Sequence, residues 1–206
     1  MLKVLGRITS INVRKVLWAL DELGLSYDRE DWGLPLRDPK VPEFLALNPN
    51  GQVPVLIEGD LVLWESNAIL IHLALQEGKL LPADLGQRGL ALQWLVWQAT
   101  ELNPPWGYAV NALIRKTPGY DDADKVATSI RNWGLRMAIL EAELAKGEGD
   151  FIVGRELSIA DIVLGLSVHR WVSLPAEKPA FPAIDAYYER LKTREAAAPW
   201  MGPETP

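Results

Sequence analysis

Glu65-Ser66 stands at the end of a short apolar run and just before a helical pattern. A carboxylate there lies beside a hydroxyl and the open N–H groups of a helix start, with Ser66 as the expected cap. Such a pairing suits a ligand that carries both an ammonium and a carboxylate. Upstream, Asn48-Pro49-Asn50-Gly51 is a turn-rich entry, because proline fixes φ and glycine or asparagine takes positive φ at low cost. Val53-Pro54 follows where a strand should begin, a place proline tolerates because it has no N–H for an interior ladder. If that bond is cis, the N–H and C=O of Val53 face outward, where they can pair with the backbone of an extended peptide. Residues 55–57 and 61–64 are apolar runs joined by Glu58-Gly59-Asp60, which reads as a hairpin.

The elements that must position these groups are legible in outline. Residues 3–6 read as a buried strand. Residues 12–23 read as a helix, with Val13, Val16, Leu17, Leu20 and Leu23 on one face, Asn12 able to cap its start and Gly24 its end. Residues 25–29 give a second strand, close enough for a parallel β-α-β pair. Residues 31–47 contain Pro35, Pro39 and Pro42 and read as loop, with a short helix at 43–47. The hairpin and a helix at 67–77 complete β-α-β-(α)-β-β-α, the order of a thioredoxin-like fold. Residues 79–87 read as a linker. Beyond it the pattern is helical, over 88–103, 106–115, 124–146, 158–172 and 181–194, with a break and kink expected at Pro104-Pro105. The expected fold class is therefore α/β + all-α, with a small domain at residues 1–79 and an all-helical one at residues 80–206.

Composition bounds the function. The apolar fraction is 49% and no apolar run approaches the ~18 residues of a membrane span. Residues 1–10 hold too short an apolar patch for a signal peptide. The chain has no cysteine, which excludes disulfides, thiolate metal sites and redox chemistry of its own thiols. A net charge of −6 argues against collecting nucleic-acid phosphates. The two histidines, His72 and His169, lie in helical patterns and are too few to make a metal site. These features fit a cytoplasmic protein with no metal, no nucleic-acid partner and no membrane association.

The run Asn-Pro-Asn-Gly-x-Val-Pro-Val-Leu followed by Glu-Ser resembles the glutathione-binding half of the cytosolic glutathione S-transferases, and the two-domain layout agrees with that family from end to end. The resemblance implies Val53-Pro54 as the pair that meets the cysteine backbone of glutathione and Glu65-Ser66 as the γ-glutamyl receptor, with Gln52 beside them. It also implies that Arg37 and Lys40, in the loop before the hairpin, can meet the glycine carboxylate; a solvated surface role fits either equally well. Glutathione would be a co-substrate and the assembly a homodimer, with Trp94 and Trp97 as candidate contacts. Gly154-Arg155-Glu156-Leu157-Ser158-Ile159-Ala160-Asp161 resembles the family's structural N-cap motif. Read from its residues, it is a capping box in which Ser158 and Asp161 each stabilise the fold by about 1 kcal/mol and do no chemistry.

The chemistry expected of such a protein is activation of a thiol. A free thiol with a pKa near ~8.5 is mostly protonated at neutral pH, and the thiolate is the nucleophile. Lowering that pKa by about two units requires about 2.7 kcal/mol, which a hydroxyl or amide donor plus a helix N-terminus can supply. Thr9, Ser10 and Asn12 lie between the first strand and the first helix, where such a donor belongs. With no tyrosine in this loop, the chain resembles the bacterial, theta-like members that use serine or asparagine. Ser10 fits the serine position, Thr9 fits it with a one-residue gap, and Asn12 fits the asparagine type; all three can equally serve as helix caps. The acceptor would be a hydrophobic electrophile held between the domains, with Trp106 and Tyr108 as candidate contacts, although aromatics at helical spacing are more often core. Conjugation, peroxide reduction, dehalogenation and disulfide exchange all follow from one thiolate. Maleylacetoacetate isomerisation fits less well, because Thr9-Ser10-Ile11-Asn12 departs from that class's loop. The alternative is a non-catalytic ligand-binding or regulatory member, which would have no need of an intact glutathione receptor.

Overall fold

The computed structural model describes residues 1–202, so the last four residues of the expected helical domain lie outside it. The chain divides into two compact units, Met1–Leu81 and a second beginning at Pro82. The first contains β1 (Leu2–Leu5), α1 (Ile11–Leu23), β2 (Tyr27–Glu30), α2 (Pro42–Leu45), β3 (Val55–Glu58), β4 (Leu61–Trp64) and α3 (Ser66–Glu77). The four strands are ordered β2-β1-β3-β4. β1 runs parallel to β2, with Leu2 opposite Tyr27, and antiparallel to β3, with Leu5 opposite Val55. β3 and β4 close the hairpin, with Val55 opposite Trp64. This is the thioredoxin-like arrangement.

Apolar spacing explains the core. Val13, Val16, Leu17 and Leu20 of α1 are fully buried, as are Ile69 and Leu70 of α3, and the two helices pack on each other. Leu5 and Val55 form a second cluster with Trp32 and Phe44, whose rings lie 4.7 Å apart.

Helix starts differ from the sequence reading in an informative way. The first i→i+4 bond of α1 runs from the Arg14 N–H to the Ser10 carbonyl at 3.0 Å, so Ser10, not Asn12, is the cap residue, and Asn12 sits inside the first turn. Burial of Ile11 as the first helical residue fixes that register. Similarly, the Ile69 N–H bonds to the Glu65 carbonyl at 3.0 Å. Ser66 therefore opens α3, and the cap residue is Glu65.

The second unit holds α4 (Leu85–Trp97), α5 (Asn103–Ala109), α6 (Ala123–Leu144), α7 (Ile159–Ser173) and α8 (Pro182–Lys192). α4 starts within the stretch expected to be a linker, because the Asp84 carboxylate accepts from the Gln87 N–H at 2.9 Å and caps it. Pro104-Pro105 does not break the chain. A π-helical turn, Gln98–Leu102, joins α4 to α5, and a second, Val110–Ile114, follows α5. Both prolines lie in the first turn of α5, where a missing N–H matters least.

α7 is the buried axis of this unit, with residues 159–171 all buried. At its start the fully buried Asp161 carboxylate accepts from the Ile152 and Ser158 N–H groups and the Ser158 hydroxyl, each at 2.8 Å, and from the Tyr187 hydroxyl at 2.9 Å. At its end the Lys178 ammonium donates to the carbonyls of Trp171, Val172 and Leu174 at 2.6, 3.1 and 2.7 Å. α8 is capped from α6: the Glu141 carboxylate accepts from the Ala183 and Ile184 N–H groups at 3.1 and 2.9 Å. Among the described residues, no helix is long and apolar enough to cross a membrane.

Candidate functional site

Strand register decides which sequence candidates meet. Because β1 and β3 are antiparallel with Leu5 opposite Val55, the chain leaves β1 at the end of the sheet where it enters β3. Because Val55 is also opposite Trp64, the residues after β4 emerge at that same end. The 6–10 loop, Val53-Pro54 and Glu65-Ser66 are thus gathered at one edge of the N-terminal unit, although the sequence separates them widely.

The 6–10 loop is shaped by close packing. A Cβ on Gly6 would stand 2.4 Å from a methyl of Val13, so only glycine lets β1 turn this tightly onto α1. The Gly6 and Arg7 N–H groups bond to the Glu30 and Trp32 carbonyls at 2.8 and 2.9 Å, and the Ser10 N–H closes the turn on the Arg7 carbonyl at 3.1 Å. Ser10 is half-buried, and its hydroxyl makes no capping bond to the α1 N–H groups. Those groups form the positive end of a 13-residue helix with no acidic side chain in its first turn. Thr9 is exposed, and its hydroxyl oxygen accepts from the Arg7 guanidinium. Asn12 is half-buried in the first turn.

The turn before β3 is organised by the buried Asn48. Its amide donates to the Gln52 carbonyl at 2.8 Å, and its side-chain oxygen accepts from the Asn50 N–H at 3.0 Å. The Val53–Pro54 peptide bond is cis. Among the described residues, the N–H and C=O of Val53 make no backbone hydrogen bond. Lys40 is tied to this turn, its ammonium donating to the Asn50 carbonyl at 2.6 Å. Arg37 is held elsewhere: its guanidinium lies 3.5 Å from the centre of the Trp32 ring and 3.8 Å from each of the Glu30 and Glu43 carboxylates.

At the start of α3, Ser66 is buried while the Glu65 side chain is exposed. Glu65 adopts φ 71° and ψ 107°, a backbone conformation uncommon for a residue with a Cβ. Strain of this kind is concentrated at functional sites. Next to it, Asn67 accepts from the ammonium of the buried Lys15 at 3.3 Å, so a basic residue of α1 supports this helix start. The sequence reading missed Lys15 and Arg7. Arg7 stands two residues before Thr9 and Lys15 three after Asn12, and that nearness to the candidate donors was their visible signal.

In the second unit Trp106 and Tyr108 have different neighbours. The Trp106 indole donates to Asn103 at 3.2 Å, with the Arg170 guanidinium 4.6 Å from its ring and Trp133 at 6.2 Å. Tyr108 packs on Tyr120 at 5.0 Å, and its hydroxyl accepts from the Asp122 N–H at 3.3 Å. Trp94 is buried and edge-on to Trp97 at 5.0 Å, so it packs within the chain. His72 lies 3.0 Å from Glu58, and His169 lies 2.8 Å from the Tyr188 hydroxyl. Among the described residues no three metal-ligating side chains converge.

Residues 1–75 match the family profile described as glutathione S-transferase, N-terminal domain, and residues 121–204 match that described as glutathione S-transferase, C-terminal domain. Over 200 residues the chain is 33% identical to glutathione S-transferase GstB of Escherichia coli, with 95% of each chain covered. It is 28% identical over 194 residues to the disulfide-bond oxidoreductase YfcG of Escherichia coli, covering 90% of this chain and 87% of that one. The theta class glutathione S-transferase from Xanthomonas axonopodis pv. citri, solved with glutathione bound, matches with a TM-score of 0.91 at 34% identity, covering 97% of this chain and 96% of that one.

Proposed function

The chain belongs to the glutathione S-transferase family, and we propose that it binds glutathione at the gathered edge of its N-terminal sheet and activates the thiol for attack on a hydrophobic electrophile. It is a catalytic, glutathione-dependent member, a glutathione transferase. One observation carries the reading: strand register brings an open helix N-terminus, an unpaired backbone edge at Val53 and the Glu65-Ser66 pair to one place. In this assignment Glu65 meets the γ-glutamyl ammonium, while Ser66 and the α3 N–H groups meet its carboxylate. Val53 pairs with the cysteine backbone in the manner of an added strand, and Pro54 fixes that edge. Gln52 and Lys40 are assigned to the glycine end, Lys40 because it is already tied to the Asn50 carbonyl; Arg37 is the second candidate cation and would have to leave the Trp32 ring to reach it.

The sulfur then lies at the start of α1. The hydroxyl of Ser10, with Thr9 and Asn12 beside it, and the helix N–H groups stabilise the thiolate over the thiol; the proton is lost to water. Conjugation is the reaction we assign, and the disulfide-bond oxidoreductase among the relatives supports disulfide exchange as a second use of the same thiolate. Trp106 and Tyr108 remain the assigned electrophile contacts, Trp106 being preferred because Arg170 and Asn103 fix its ring. We assign the two domains to residues 1–79 and 80–206, and a detoxifying role in the cytoplasm as a homodimer. Exposed apolar side chains such as Leu75, Leu90 and Val96 support the dimer.

Titration with glutathione under a thermal ramp tests the reading. At a hundredfold excess over the dissociation constant, one site stabilises by about 2.7 kcal/mol, which raises the midpoint by roughly 5–10 °C for a chain of this size. Glutathione-dependent consumption of a chloronitroaromatic should follow. No stabilisation at millimolar glutathione overturns the assignment, and binding without turnover of any electrophile overturns the catalytic part.

A further inference from the structure

Arg7 is a basic residue placed where the thiol would be activated, and two independent features hold it there. Its guanidinium donates to the Thr9 hydroxyl oxygen. Its stem packs on the backbone of Gly33, where a Cβ would stand 3.2 Å from the Arg7 Nε and 3.3 Å from its Cδ. Gly33 has φ +105°, a conformation that side-chain-bearing residues rarely take, so the neighbouring loop leaves room for the arginine by being glycine at that point. The Arg7 N–H is fixed to the Trp32 carbonyl at 2.9 Å, and its carbonyl receives the Ser10 N–H at 3.1 Å. The arginine is therefore anchored at backbone, stem and head.

We propose that Arg7 is a positioning residue that fixes Thr9 as a hydroxyl donor to the glutathione sulfur and lowers the pKa of the bound thiol. This rests on the glutathione reading above. Arginine can only donate hydrogen bonds, so the Thr9 oxygen must be the acceptor of that pair. The hydroxyl hydrogen of Thr9 is then left for another partner, and the adjacent positive charge makes it a stronger donor. Ser10, the next residue, keeps its own hydroxyl outside the helix cap. The sulfur thus meets two hydroxyl donors and a helix N-terminus, with a cation held against one of the hydroxyls, instead of one donor alone.

The test is the ultraviolet titration of the thiolate of bound glutathione, with affinity measured by calorimetry, in the wild type and in Arg7→Met, Arg7→Lys, Thr9→Val and the Arg7→Met/Thr9→Val double variant. Arg7→Met and Thr9→Val should each raise the thiol pKa by about half a unit to one unit. The double variant should be no worse than the poorer single one, because the arginine acts through the threonine. Arg7→Lys should restore less than half of the shift, since lysine keeps the charge and loses the fork. Glutathione affinity should change less than threefold throughout. Loss of affinity with no pKa change in Arg7→Met would make the arginine a mere loop brace and overturn the proposal. Full additivity in the double variant would overturn it too. If the wild type binds no glutathione, the reading beneath it has failed; if it binds with a lowered pKa that Arg7→Met leaves in place, only this inference has failed.

Discussion

Replacing Glu65 by glycine should make the protein more stable and worse at binding glutathione. At φ 71° and ψ 107° this residue holds a positive φ that costs an L-residue roughly 1–2 kcal/mol. Glycine escapes most of that cost but loses about 0.5–1 kcal/mol through its greater freedom in the unfolded chain. The net expectation is a gain of about 0.5–1 kcal/mol, or roughly 1–4 °C in the midpoint of a chain this long. Glu65→Ala is the control. It removes the same exposed carboxylate but keeps the strained φ, so its midpoint should stay within about 1–2 °C of the wild type. Both substitutions leave the ligand ammonium unpaired, at a cost of about 2 kcal/mol, so the dissociation constant should rise about thirtyfold and not less than tenfold. Scanning fluorimetry without ligand gives the first quantity and titration calorimetry with glutathione the second. A glycine variant that melts below the alanine one would refute the strain argument. An affinity within twofold of wild type in either variant would refute the receptor role.

Asp161→Ala should cost about 3–5 kcal/mol, because it strands the buried Ile152 and Ser158 N–H groups as well as two hydroxyls; a loss under ~1 kcal/mol in denaturant unfolding would contradict the network. Burial raises the Asp161 pKa above its unfolded value despite its four donors. Its proton-linked stabilisation is therefore complete below the unfolded pKa and lost as pH rises through the folded one. The stability advantage of wild type over Asp161→Asn should consequently be larger near pH ~4 than near pH ~7, and the opposite slope would show that the donors outweigh burial. Lys178→Met keeps the apolar stem but frees three carbonyls at the end of α7, and should cost about 1–2 kcal/mol in guanidinium unfolding; an unchanged midpoint would mean that water replaces the ammonium without loss.

What could be read from the sequence followed how local its cause was. The hairpin and its entry were legible, because Asn48-Pro49-Asn50-Gly51 and Glu58-Gly59-Asp60 state their turn chemistry within a few residues. The helix start at residues 9–12 was ambiguous for a physical reason: Thr9, Ser10 and Asn12 are all competent caps, and burial of Ile11, a tertiary fact, selects Ser10. At Pro104-Pro105 the local rule gave a break, whereas a π-helical turn runs directly into α5 and places both prolines in its first turn, where a missing N–H is tolerated. The Asp84 cap was hidden by Pro82 and Gly86, which read together as a linker. Trp106 and Tyr108 were paired by their nearness in sequence, yet residues two apart on a helix face different neighbours, here Trp133 and Tyr120.

The three candidate donors are not equivalent once the loop is built, and the difference bears on which one the sulfur meets. Ser10 has its backbone pinned on both sides, by the Arg7 carbonyl and by the Arg14 N–H, while its hydroxyl is spared from capping. A fixed Cα with an uncommitted hydroxyl is what a preorganised donor requires, because little reorganisation remains when charge develops on the sulfur. Thr9 is exposed and would lose that advantage to solvent, except that Arg7 restrains its oxygen. Asn12 lies inside the first helical turn, past the cap residue. That ordering places Ser10 first, Thr9 second through Arg7, and Asn12 third. On the proposed reading, a chain without tyrosine in this loop and without cysteine anywhere would activate the thiol through a helix end and two hydroxyls, which together would have to supply the roughly 2.7 kcal/mol that a shift of two units demands.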